Sequence, residues 1–122
     1  IFYKFLFRFT ELNSYLNNLG DLVYIGSLDG SNLSKTFSIA DYRYIYVSVA
    51  IVIAGGTTFR TRSIIPTSIW PSDGQEMFTF YNGGNLHACI RASCSSAGIT
   101  NVSVDNFTAQ ISGWNIRIDG IK

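Results

Sequence analysis

The chain has little charge, little histidine and little proline. Charged residues make up 14% of its 122 residues, the net charge is +1, and there are one histidine, two prolines and two cysteines. An average soluble protein has about 25% charged residues. Without a basic run the chain offers no electrostatic footprint for nucleic acid, and one histidine with two cysteines does not make a metal cluster. We therefore expect no nucleic-acid partner, no metal and no cofactor.

Long hydrophobic runs are also missing. The longest apolar stretch, Tyr44 to Ala54, is about half of what a membrane-spanning helix requires. The apolar N-terminus is interrupted by Lys4 and Arg8, which argues against a secretory signal. We expect a soluble protein with no membrane insertion.

Catalytic combinations are scarce. His87 is the single histidine, so any Ser-His-Asp or Cys-His arrangement must use it. Cys89 lies two residues away on the same predicted strand face, but no third group orients the pair. Most carboxylates fall in predicted turns, where Asp serves the turn itself. The sequence therefore predicts a protein that is not an enzyme.

The two cysteines are predicted to stay reduced. Cys89 and Cys94 are five residues apart, so one continuous strand directs them to opposite faces and they cannot bridge. Free thiols favour folding in a reducing cytoplasm.

A seam of apolar residues opens the chain. Its members are separated by alternating steps of three and four: Phe2, Phe5, Phe9, Leu12, Leu16 and Leu19. Gly20 follows, where helices commonly stop. We predict that residues 1–20 are the end of a helical stalk that can form a trimeric coiled coil, with Phe9, Leu12, Leu16 and Leu19 as trimerisation residues. The alternative for residues 3–9 is a strand, since their aromatic side chains also alternate.

The rest of the chain, residues 21–122, is predicted to form an antiparallel β-sandwich head that is jelly-roll-like. Strand candidates come about every ten residues with turn signals between them. Asn82-Gly83-Gly84 is the strongest hairpin signal. The candidates are Leu22–Leu28, Lys35–Ile39, Tyr44–Ile53, Thr58–Ile65, Glu76–Tyr81, Leu86–Ala92, Ile99–Val104 and Asn115–Ile121.

Exposed aromatics next to amides are the candidate ligand-binding residues, because flat rings stack on sugars while amides supply directional hydrogen bonds. Trp70 lies between two prolines in an irregular segment, and Tyr81 opens the turn that contains Asn82 and precedes Asn85. The alternative for Trp70 is that it closes the end of the sandwich. For Tyr44 and Tyr46, which face away from the predicted core, the alternative is a subunit interface. Trp114 is predicted to be core.

Several segments together resemble a known family. They are ELNSYLNNLG, LVYIGSL, FSIADYRYIYVSV, SIIPTSIW and the closing WNIRIDGIK. This layout is similar to the C-terminal receptor-binding head of tailed-phage tail fibres and baseplate receptor-binding proteins. The resemblance implies a homotrimer in the virion, at the fibre tip, that recognises a bacterial surface saccharide or protein and is assembled in the host cytoplasm. It carries over no binding residues, and the aromatic-rich IFYKFLFRF departs from the stalks of the family.

Three functions remain open at this point. The first is the receptor-binding head of a trimeric phage or viral fibre. The second is a monomeric carbohydrate-binding module of a secreted enzyme, which needs no stalk. The third is a purely structural virion subunit.

The trimer prediction can be checked directly. The full chain should be a non-covalent trimer held by residues 10–19 and the adjoining sheet faces, and a chain without residues 1–19 should assemble less well because the apolar seam is gone. Light scattering on both proteins measures this. A full-length chain that is monomeric at high micromolar concentration would contradict it.

Overall fold

The computed structural model describes residues 22–30, 32–53, 56–82, 85–106 and 111–122, with the backbone alone for residues 82, 85–87 and 106. The predicted stalk, including Phe9, Leu12, Leu16 and Leu19, lies outside the described residues, as do Gly83 and Gly84. All eight strands expected from the sequence are confirmed. They are β1 Val23–Asp29, β2 Ser34–Ser38, β3 Tyr44–Ile53, β4 Thr58–Pro66, β5 Gln75–Asn82, β6 Asn85–Cys94, β7 Ile99–Asn106 and β8 Ile111–Ile121.

The strands form two antiparallel sheets of four. Sheet A has the order β1-β8-β3-β4 and sheet B has the order β2-β7-β6-β5. The pairings of β1 with β8 and of β2 with β7 nest as they do in a jelly roll, whereas β3–β4 and β5–β6 are simple hairpins. The strands β1, β4, β2 and β5 are therefore the sheet edges.

One hydrophobic core joins the two sheets. In β3 every second residue is buried, and Ile45, Val47, Val49, Ile51 and Ile53 line the inner face as the alternation predicts. Sheet B adds buried side chains that belong to the same cluster, among them Ile90, Val102 and Val104. Because one cluster draws on both sheets, their inner faces lie against each other.

The end of the sandwich nearest the start of β3 is covered by an aromatic ring. The predicted corner at Ala40-Asp41-Tyr42 is a turn, with the Tyr42 amide donating to the Ile39 carbonyl at 3.2 Å. The Tyr42 ring packs against the core and lies over Gly120 of β8, where a Cβ atom would overlap the ring. The closing sequence therefore needs glycine at this position for packing.

Gly120→Ala should destabilise the fold, because the added methyl group forces the Tyr42 ring out of position. Overpacking of this kind costs about 1–3 kcal/mol. Gly113→Ala in the same strand is the matched control, since no neighbouring atom lies within 4 Å of the position that its added methyl group would take. Thermal unfolding followed by circular dichroism compares the two. Equal midpoints for both variants would contradict the packing role of Gly120.

Candidate functional site

Trp70 is a correction to the sequence-based expectation, because it is not exposed. Its side chain is 6% exposed and belongs to the core cluster. The indole Nε1 donates to Thr100 Oγ1 at 2.8 Å, a buried bond between the loop and β7. The short 3₁₀ turn Thr67–Ile69 leads the chain into this position and leaves Ile69 outside instead. A buried indole offers no stacking surface to a sugar, so Trp70 is not proposed as a ligand-binding residue.

The other predicted ligand-binding residues lie at the β5–β6 hairpin. Tyr81 is on the edge strand β5 and is 58% exposed, which agrees with the expectation. Asn82 and Asn85 face each other in the strand register, but their side chains lie outside the described residues. Tyr81 therefore stays a prediction, and it does not share a site with Trp70. Trp114 is buried as predicted, and its Nε1 donates to the Asn32 carbonyl at 2.8 Å.

The outer face of sheet A, made of the side chains that point away from the core, carries a different set of residues. In one row across the strands, Ser27, Arg117, Ser48 and Arg62 lie side by side. In the next row the corresponding residues are Asp29, Asn115, Ala50 and Arg60. Small residues on β3 thus lie between longer polar side chains on β8 and β4.

A bulge in β1 brings Tyr24 onto this face. Tyr24 pairs with Asp119, while Gly26 pairs with Ile118, so Ile25 is an extra residue in the ladder. Strict alternation would direct Tyr24 and Ser27 to opposite faces, but the bulge puts both on the outer face. There the Tyr24 hydroxyl and Ser27 Oγ are 2.9 Å apart, and the Tyr24 side chain is 55% exposed.

Arg117 is held in place from two sides. Its Nε and Nη2 donate to the Asp119 carboxylate at 2.9–3.2 Å, and its guanidinium lies 4.8 Å from the centre of the Tyr24 ring. The Asp119 side chain is 3% exposed, whereas the Arg117 side chain is 56% exposed. The hydrogen bonds that Arg117 donates to Asp119, and then the negative charge of Asp119, raise the pKa of the Arg117 guanidinium. A buried carboxylate therefore orients an exposed cation next to an exposed aromatic ring.

Two adjoining depressions lie on this face. The tyrosine depression, lined by Tyr24, Ser27, Asn115 and Arg117, has a volume of about 430 Å³. The arginine trough has a volume of about 440 Å³. Its lining residues are Ser48, Val49, Ala50, Arg60, Thr61, Arg62, Asn115 and Arg117. Asn115 and Arg117 belong to both, so the two form one continuous surface, and each volume is within the roughly 300–1,000 Å³ of small-ligand sites.

The outer face of sheet B carries a closed ion-pair network instead. Arg91 of β6 bonds to Asp105 of β7 at 2.5 Å and to Glu76 of β5 at 2.9 Å, so its charge is already neutralised. Cys89 lies beside this network, 3.7 Å from the Asp105 carboxylate. The alternation predicts Cys89 on the outer face, yet its side chain is fully buried, and burial raises the pKa of its thiol. A protonated, inaccessible thiol is a poor nucleophile.

Cys89 and Cys94 are free thiols on opposite faces of β6, as the spacing predicts. Cys94 packs against the core from the inner face.

Within the described part of the chain, no group of three or more His, Cys, Asp or Glu side chains could hold a metal ion. No helix among the described residues is long and apolar enough to cross a membrane.

Comparisons with known proteins add no family assignment. The chain matches no protein-family model, no curated protein and no solved structure. The indications of function therefore come from the geometry of the outer face of sheet A.

The corrected position of Trp70 has a measurable consequence. Trp70→Ala should cost about 3–5 kcal/mol of stability, the usual range for removing a buried tryptophan. Tyr81→Ala should stay within about 0.5 kcal/mol of the parent, because its side chain is exposed. Urea unfolding of both variants measures the difference. A Trp70→Ala protein as stable as Tyr81→Ala would show that the indole is not part of the core.

Proposed function

We propose that the protein is a non-enzymatic receptor-binding head of a trimeric phage or viral fibre, and that the outer face of sheet A binds a bacterial surface saccharide. The single observation that carries the saccharide part is the tyrosine depression. It combines an exposed aromatic ring, a hydroxyl, an amide and a guanidinium within one open depression.

The chemistry of this depression suits a sugar. A pyranose ring presents apolar C–H groups on its faces and hydroxyl groups at its rim. The exposed Tyr24 ring can stack on the C–H groups, while Asn115 and Ser27 offer hydrogen bonds to hydroxyls. The ring and the guanidinium are already held by their contact with each other, and Asp119 also holds the guanidinium, so binding orders few additional side chains.

The site also has a rigid base. Asn115 and Arg117 lie on β8, which is hydrogen-bonded to β1 on one side and to β3 on the other. Side chains on a central strand keep a defined spacing, which favours recognition of a fixed ligand shape. The carboxylates of Glu76, Asp105 and Asp119 are each paired with an arginine, which is typical of structural ion pairs rather than of a catalytic acid and base.

Trimeric assembly in the virion is the second part of the proposal and depends on the apolar seam and the family resemblance. A single exposed aromatic contributes only about 1 kcal/mol, so one head would bind weakly. Three heads on one fibre would act at high effective concentration and give useful avidity. A monomeric carbohydrate-binding module would use the same surface, and the oligomeric state distinguishes the two.

The saccharide proposal is tested with Tyr24→Ala on an array of bacterial surface glycans. Loss of the ring should reduce binding about fivefold in each head, which corresponds to about 1 kcal/mol, and Tyr24→Phe, which keeps the ring, should retain most of it. Tyr81→Ala is the matched control, because Tyr81 has nearly the same exposure on the other sheet.

Two other outcomes would contradict a saccharide site at Tyr24. Loss of binding in Tyr81→Ala alone would move the site to the β5–β6 hairpin that the sequence suggests. A parent protein that binds no glycan on the array would favour the structural virion subunit.

A further inference from the structure

We infer that the recognised saccharide is acidic, and that its carboxylate or phosphate group binds in the arginine trough. This inference rests on the proposed function and extends it to the class of ligand. The trough continues the tyrosine depression, so one oligosaccharide can place a sugar ring over Tyr24 and a neighbouring acidic group among the arginines.

The charge state of the trough is the first argument. Three guanidinium groups line it, from Arg60, Arg62 and Arg117, and none of its lining residues is a carboxylate. Arg117 is paired with Asp119. Among the described residues, no carboxylate forms a salt bridge with Arg60 or Arg62. Within the described part of the chain, the two cations on β4 therefore lie near each other without a counter-charge.

The geometry of the trough is the second argument. Arg60 and Arg62 are two residues apart on β4, so both point to the outer face, about 7 Å apart at their Cα atoms. Arg117 lies across β3 in the same row as Arg62, at a distance of two strand spacings, about 10 Å. Ser48 and Ala50 between them are short, which leaves space for a ligand group. Arg60 and Arg62 can reach such a group from one side of the trough, and Arg117 can reach it from the other.

The choice of arginine is the third argument. The planar guanidinium forms two parallel hydrogen bonds to a carboxylate or a phosphate, which an ammonium group cannot do. On Arg117 the Nη1 donor has no hydrogen-bond partner among the described residues, while Nε and Nη2 are used by Asp119. Arg117 can therefore donate to a ligand without giving up its ion pair.

A competing explanation is that Arg60 and Arg62 protect a sheet edge. β4 is an edge strand, and charged residues on edge strands hinder pairing with other chains. Lysine serves that purpose as well as arginine does. Arg60→Lys with Arg62→Lys therefore separates the two explanations, since it keeps edge charge but removes the planar, bidentate donors.

Nucleic acid is the less favoured anion. Its affinity comes from many phosphate contacts made by an extended basic surface, whereas this chain has a net charge of +1 and one compact arginine cluster. A saccharide with isolated acidic groups fits that cluster better.

The test measures binding of the full chain to tri-galacturonate and to its fully methylated ester, which differ in charge. At low ionic strength the acid should bind about tenfold or more tightly than the ester. A trimer of glycerol phosphate tests whether phosphate is preferred to carboxylate. The preference for the acid should shrink in salt, because screening is strong at these exposed groups.

Variants then locate the effect. Arg60→Gln with Arg62→Gln should abolish the preference for the acid and leave binding of the ester unchanged, and the double lysine variant should lose most of the preference. Arg43→Gln with Lys122→Gln is the matched control, since it removes two positive charges outside the trough. Solution molecular mass is measured for every variant.

Several results would overturn the inference. They are equal binding of acid and ester, no binding of either anionic probe at millimolar concentration, full preference in the double glutamine or double lysine variant, and a change of oligomeric state in the trough variants. If a thymidine oligonucleotide binds through Arg60 and Arg62 more tightly than the saccharide probes do, the ligand of the trough is nucleic acid and not a saccharide. Ester binding that depends on Tyr24 without any preference for the acid would leave the proposed function standing. Anion binding at Arg60 and Arg62 with no glycan bound on the array would contradict the proposed function and leave the anion site standing.

Discussion

The pairing of β8 with β3 is the interaction on which the rest of the structure depends. β3 runs through the middle of sheet A and pairs with β8 along almost its entire length, while its other side pairs with β4. β8 also pairs with β1, so this strand near the end of the chain joins the first strand of the fold to its centre. These contacts connect residues that are far apart in sequence. They form only after the intervening chain has folded back and brought the two strands together.

The same pairing creates the candidate site. Alternation directs Ile116 and Ile118 of β8 into the core, and it leaves Asn115, Arg117 and Asp119 on the outer face. The register then places these polar residues beside the short side chains of β3 and the arginines of β4. Core formation and exposure of the binding surface are therefore two results of one register, because a slip of a single residue would exchange the two faces.

The loops are the natural place to look for a binding site, since binding residues are often on loops. Trp70 shows where this reasoning fails. A tryptophan between two prolines has the composition of an exposed loop residue, yet burying an indole removes a large apolar surface from water. Thr100 of β7 accepts a hydrogen bond from the indole N–H, so burial leaves no donor unpaired. A partner located thirty residues away cannot be identified from the local sequence.

The sequence by itself determined the approximate number and position of the strands, because side-chain alternation and turn residues are local signals. It also determined the inner face of β3 and the opposite orientation of Cys89 and Cys94. Only the tertiary structure decided which strands are neighbours, and hence that Arg60, Arg62 and Arg117 share one trough. It likewise decided that Tyr24 and Ser27 face the same way, since the bulge at Ile25 interrupts the period of two on which a sequence prediction relies. Long-range register and bulges follow from how whole sheets pair and pack, and no short stretch of sequence encodes them alone.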